Sequence, residues 1–142
     1  MIRSFKDEYR NGRIPNKLAL LNTDGSTAEW SVTMLEWAFP WWCQWLATSV
    51  STFMSRCLSW RKRFRQAGAT VLGENVTLST WGFFIVDRTC DDLIFEGQGN
   101  GMIDEVRSIG DPGAPPDRMI GRFYYQGVFR GWFELRRIWR KD

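Results

Sequence analysis

The chain has no histidine. That absence removes the commonest general base and the commonest transition-metal ligand, and it excludes triads built on Ser–His or Cys–His pairs. Cysteine is scarce: Cys43, Cys57 and Cys90 are an odd set, too widely spaced for a disulfide framework. On one continuous helix Cys43 and Cys57 would stand about 21 Å apart along the axis, far beyond disulfide reach. All three read as reduced thiols of small apolar character, which points to an intracellular setting. Residues 1–17 lack the apolar core of a cleaved secretory signal. The glycines Gly97, Gly99 and Gly101 lack the following Lys-Ser/Thr of a phosphate loop and read as a hairpin connection. With three scattered thiols and no imidazole, neither a metal nor a cofactor is expected, and the chain reads as non-enzymatic.

Tryptophan, by contrast, is abundant. Nine Trp and ten Phe stand among 142 residues, and Trp30, Trp37, Trp41, Trp42, Trp45 and Trp60 fall close together. Trp favours half-wet sites and interfaces because its large ring carries an N–H that needs a partner. Residues 37–55 carry no charged side chain at all, and a basic run (Arg56, Arg61, Lys62, Arg63, Arg65) follows. A stretch of about 18 uncharged residues is long enough to span a bilayer. Pro40, Gln44 and many Ser and Thr disfavour a crossing, so lying in the membrane interface fits better.

The local signals divide the chain into three parts. Residues 1–25 form an N-terminal arm and turn, with Asn11-Gly12 and Pro15 breaking any helix. Residues 26–68 read as a Trp-rich amphipathic helical segment. Ser26 and Glu29 have capping-box spacing, which predicts a helix from Thr27 to about Ala38, although a hairpin returning through Trp30 to Val32 is also open. Pro40 kinks the segment, and a second helix is expected from Trp41 to Ala67, stopped by Gly68. Trp42, Leu46, Val50, Phe53, Cys57, Trp60 and Phe64 form its apolar stripe, opposite Gln44, Thr48, Ser51 and Ser55. Residues 69–142 are β-rich, with strands expected at 76–86, 92–95, 102–109, 118–125 and 128–135. The fold class predicted is α+β: a kinked helical segment packed as one unit on a mainly antiparallel meander or partial barrel.

Two functions fit these readings. The first is a structural or accessory subunit, docking through the aromatic helix into a protein assembly, an anionic membrane surface, or both. Its anchors would be Trp37, Phe39, Trp41, Trp42, Trp45, Phe53 and Trp60. Arg56, Arg61, Lys62, Arg63, Arg65, Arg136, Arg137 and Arg140 would meet an anionic partner. The alternative is a barrel-like module holding a small apolar ligand or single-stranded nucleic acid. For the latter, the C-terminal interleaving of Arg with Phe129, Trp132, Phe133 and Trp139 offers stacking and charge. An enzyme would have to rely on carboxylates such as Asp87, Asp91, Asp92, Glu96, Asp104 and Glu105, if these converge. Asn75-Val76-Thr77 matches a glycosylation acceptor.

Overall fold

Period-two alternation dominates the three-dimensional structure. In the strand Met102–Ile109, Asp104, Val106 and Ser108 are buried while Ile103, Glu105 and Arg107 face outward. The computed structural model describes residues 4–88, 93–99, 101–110 and 115–139. Eight strands, β1 (Ala28–Trp37), β2 (Arg61–Ala67), β3 (Thr70–Val76), β4 (Thr80–Arg88), β5 (Leu93–Gly97), β6 (Met102–Ile109), β7 (Arg118–Tyr125) and β8 (Val128–Ile138), form a closed barrel. Each strand runs antiparallel to its sequence neighbours, and β8 returns to β1 with Val32 opposite Leu135. Closure leaves no sheet edge exposed. Helix α1 (Phe5–Arg10) lies against the outer wall, where Tyr9 and Phe5 pack edge-on to Trp132. Helix α2 (Trp41–Cys57) bridges β1 and β2.

The architecture is thus mostly antiparallel β with one Trp-rich helix, and the barrel is closed, not partial. The helix expected at 27–38 is strand β1. Trp30 and Val32 point into the core on alternate residues, and Ser26 closes a turn with Asp24 instead of capping a helix. The second helix ends ten residues early, at Cys57, where Ser59 takes a φ of 51° and reverses the chain into β2. Trp60 and Phe64 stand four apart, a spacing that satisfies both a helical turn and two strand periods. The intervening Lys62 also points inward, which decides for the strand. Gly68 is therefore not a helix stop. It opens the two-residue turn between β2 and β3 with a φ of 64°.

The core fills the closed end. A 3-10 turn at Lys17–Leu20 plugs it, burying Leu20 and Leu21. Trp30 Nε1 donates to the Leu20 carbonyl at 3.1 Å. Arg137 reaches inside to donate to the carbonyls of Leu21 (2.9 Å), Ala19 (2.5 Å) and Pro116 (3.0 Å), with its guanidinium 4.5 Å from the Trp30 ring centre. Burial pushes the Arg137 pKa down, with Asp117 opposing. Above this layer Phe64, Phe84 and Phe95 pack with centroids 5.1–5.7 Å apart. Gly73 makes room for them, since a Cβ there would sit 2.0 Å from the Phe84 ring.

Candidate functional site

At the opposite end the filling stops. A cavity of ≈ 210 Å³ lies between the upper barrel and α2. Val32 and Met34 of β1, Met102 of β6, Phe123 of β7 and Phe133 of β8 form its lower wall. Trp37, Trp60 and Trp81 ring it, and Val50, Ser51 and Met54 of α2 roof it. An apolar cavity of about 150 Å³ is enough to hold a benzene molecule.

Besides Ser51, one cluster of polar side chains interrupts the apolar lining. Lys62, Asn75 and Asp104, brought from β2, β3 and β6, meet on the cavity wall. Lys62 Nζ lies 3.1 Å from Asp104 Oδ2 and donates to Asn75 Oδ1 at 2.9 Å; both charged side chains are nearly inaccessible. Asn75 Oδ1 also accepts from Trp60 Nε1 at 3.3 Å. The ammonium stands 4.8 Å from the Phe84 ring centre. Gly82 leaves space for the Asn75 amide, because a Cβ there would come within 3.0 Å of its nitrogen. Burial raises the Asp104 pKa, and the Lys62 charge and hydrogen bond only partly offset that rise. An ammonium carries three N–H donors, and the two protein oxygens occupy two of them.

Helix α2 roofs the cavity the wrong way round. Most of the side expected to face solvent faces the barrel, and of its residues Thr48 stays exposed. Gln44 Nε2 donates to the carbonyls of Trp37 and Phe39, Ser55 Oγ donates to the Val32 carbonyl at 2.7 Å, and Ser51 Oγ accepts from Trp37 Nε1 at 3.2 Å. The apolar stripe faces out: Trp41 is 85% exposed, Trp42 64%, Trp45 68%, and Leu46 and Phe53 are each more than half exposed, while Val50 sits at its edge, half exposed and half over the cavity.

The sequence-derived residues therefore separate. Trp41, Trp42, Trp45 and Phe53 stand together on the outer face of α2. Trp37 and Phe39 stack on each other at 5.2 Å beneath its start, and Trp60 lies in the cavity wall. The basic run is not one patch. Arg56 is exposed on the last turn of α2, Arg65 is exposed on β2, and Lys62 is inside. Arg61 and Arg63 bond Glu29 at 3.0 and 3.2 Å, and Arg63 also bonds Glu74, its cross-strand partner. Arg136 is paired with Glu134 at 2.7 Å and Arg137 is buried, whereas Arg140 lies outside the described residues. The aromatics of β8 form no open stacking platform. Phe133 is buried in the barrel, and Trp132 is covered by Phe5, Tyr9 and Phe129.

Among the described residues the carboxylates do not converge. Asp104 points inward, Glu105 points outward to Arg122 at 2.7 Å, Glu96 and Asp87 are exposed, and Asp91 and Asp92 lie outside the described residues. Among the described residues no group of three or more metal-ligating side chains gathers. Asn75, the sequon asparagine, is buried inside the barrel, where no glycan fits. Cys43 and Cys57 are free thiols on α2, and Cys90 lies outside the described residues. Sequence reasoning missed Lys62, Asn75 and Asp104 as a set. Their signal was a polar residue at an inward, alternating position in each of three strands, legible only once the strands are assigned. Comparison with known protein families, with curated proteins and with solved structures finds no match.

Proposed function

We propose that the chain is a binding module for a small apolar molecule carrying one neutral hydrogen-bonding group, seated in the cavity under α2. The observation that carries this reading is the Lys62–Asn75–Asp104 group on the wall of an otherwise apolar cavity. Eight-stranded antiparallel barrels are just wide enough either to be filled by side chains or to hold one small ligand. A buried ion pair adds little net stability compared with apolar packing. At the edge of a cavity it has a second use: the spare ammonium N–H can fix the orientation of a ligand carbonyl or hydroxyl. The pair is formally neutral, which favours a neutral head group over a carboxylate. Scaling from benzene in its cavity, the space admits roughly eight to ten non-hydrogen atoms. Medium-chain ketones and alcohols have that size and chemistry.

Titration calorimetry of the chain with 2-octanone and with 1-octanol tests the proposal. Saturable one-to-one binding is expected for the native chain. The variant Met54→Trp, which fills the roof of the cavity, should lose it while keeping its melting temperature. Retention of full binding by that folded variant, or no saturable binding by the native chain, contradicts the reading.

A further inference from the structure

The connections across the cavity end of the barrel are residues 38–60, 77–79, 98–101 and 126–127. They contain a single formally charged side chain, Arg56. The opposite end carries both signs, with Lys17, Asp24 and Asp117 in its connections. On the cavity end large apolar side chains are exposed among small polar ones such as Thr48, Ser49, Thr52 and Gln126, and Glu36 near the rim is paired with Lys6. Beside the outer face of α2, Leu78 is 84% exposed, and Trp81, Tyr125 and Val128 on the rim are each at least 40% exposed. Water meets this surface only at a free-energy cost set by its apolar area. Gln44, Ser51 and Ser55 bond on the barrel side of the same helix, which leaves Thr48, Ser49 and Thr52 as the exposed polar side chains between its outer rings.

From this arrangement we infer that the cavity end of the barrel docks on a lipid bilayer surface, with α2 lying in the interface and Arg56 contacting lipid phosphate. Three observations select lipid as the occupant. Trp and Tyr, concentrated here, are the side chains that settle at the headgroup level, with ring in the apolar region and N–H or O–H toward water. The connections present no carboxylate to repel phosphate, and their one charge is a cation. Among the described residues no helix is long and apolar enough to cross a membrane, so α2 lies along the surface. The inference stands apart from the ligand reading, because its main anchors, Trp41, Trp42 and Trp45 on the outer face of α2, do not line the cavity.

The test uses the full chain and vesicles of phosphatidylcholine, alone or with one quarter phosphatidylglycerol, half of each set carrying acyl-brominated lipid. The native chain should co-sediment with both, and brominated lipid should quench its Trp emission. The double variant Trp41→Ser/Trp45→Ser removes two exposed rings, so its melting temperature should hold while vesicle binding falls about tenfold or more. Arg56→Gln should weaken binding to the anionic vesicles by about fivefold and to the neutral ones little. Trp139→Phe, at the far end, should change nothing, and Met54→Trp should still bind vesicles even if it loses the small ligand. Failure of the native chain to bind either vesicle overturns the inference. So does a stable dimer in solution whose α2 rings are already shielded from acrylamide, which would assign the face to a second copy, or to a different protein if the chain is monomeric and vesicle-blind.

Discussion

Lys62 and Asp104 occupy positions that strand periodicity reserves for apolar side chains, and they hold them only because each satisfies the other. The ammonium has Asn75 and Asp104 as acceptors and three aromatic rings, Phe84, Phe95 and Phe133, within 6 Å. Desolvation falls hardest on the Asp104 carboxyl, whose pKa is raised despite the neighbouring cation. This fixes the sign of a pH effect. Below the ordinary carboxylate pKa both folded and unfolded chains hold the proton, and the contribution of this group to stability is fully present. As pH rises toward the raised folded value, the unfolded chain releases a proton that the folded chain keeps, so stability falls. Above the raised value the contribution is gone. Asp104→Asn removes the titration, so its melting temperature should vary less with pH than the native chain's as pH rises from about 4. Thermal melts across that range check this; parallel curves for the two chains would contradict the burial of the carboxyl.

At the scale of elements, α2 is a lid fastened along one side. Ser55 bonds the Val32 carbonyl, Ser51 receives the Trp37 indole N–H, and the Trp60 amide returns to the Met54 carbonyl. Ser55→Ala removes one of these bonds, a loss of about 1 kcal/mol. Amide exchange in α2 should then quicken by about fivefold with β6 and β7 unchanged; uniform acceleration, or none in α2, would contradict the lid. This helix also marks the limit of what the sequence discloses. Its apolar stripe and polar side were legible residue by residue, as were β6 and β7, whose ends coincide with the predicted strands. Which side faces the barrel was not legible. Periodicity identifies two faces, and the usual inference that the apolar one is buried fails where that face is kept for an outside surface. Strand β2 was missed for a different reason. Arg61, Arg63 and Arg65 on its outer face resemble a solvated helix end, and the partners of Arg61 and Arg63 come from other strands, Glu29 from β1 more than thirty residues away and Glu74 from β3. The cavity triad was hidden for the same reason, since no local pattern links residues 62, 75 and 104.

Considered whole, the barrel is polarised along its axis. One end is plugged by the 3-10 turn and sealed by Arg137, and the other holds a cavity beneath an outward-facing aromatic surface. Between the two ends the outer wall carries ion pairs, in which Arg118, Arg122 and Arg136 meet Glu8, Glu105 and Glu134. A ligand entering or leaving through the lid would pass the same surface that is proposed to meet lipid. The methionines provide a direct reading of where such a ligand sits. Met34, Met54 and Met102 line the cavity, while Met119 is fully buried toward the plugged end. With the methionine methyl groups labelled with carbon-13, titration of 2-octanone should shift the Met34, Met54 and Met102 signals along one saturating curve and leave Met119 in place. Shifts that fail to saturate, or that move Met119 as much as the other three, would contradict a ligand seat under α2.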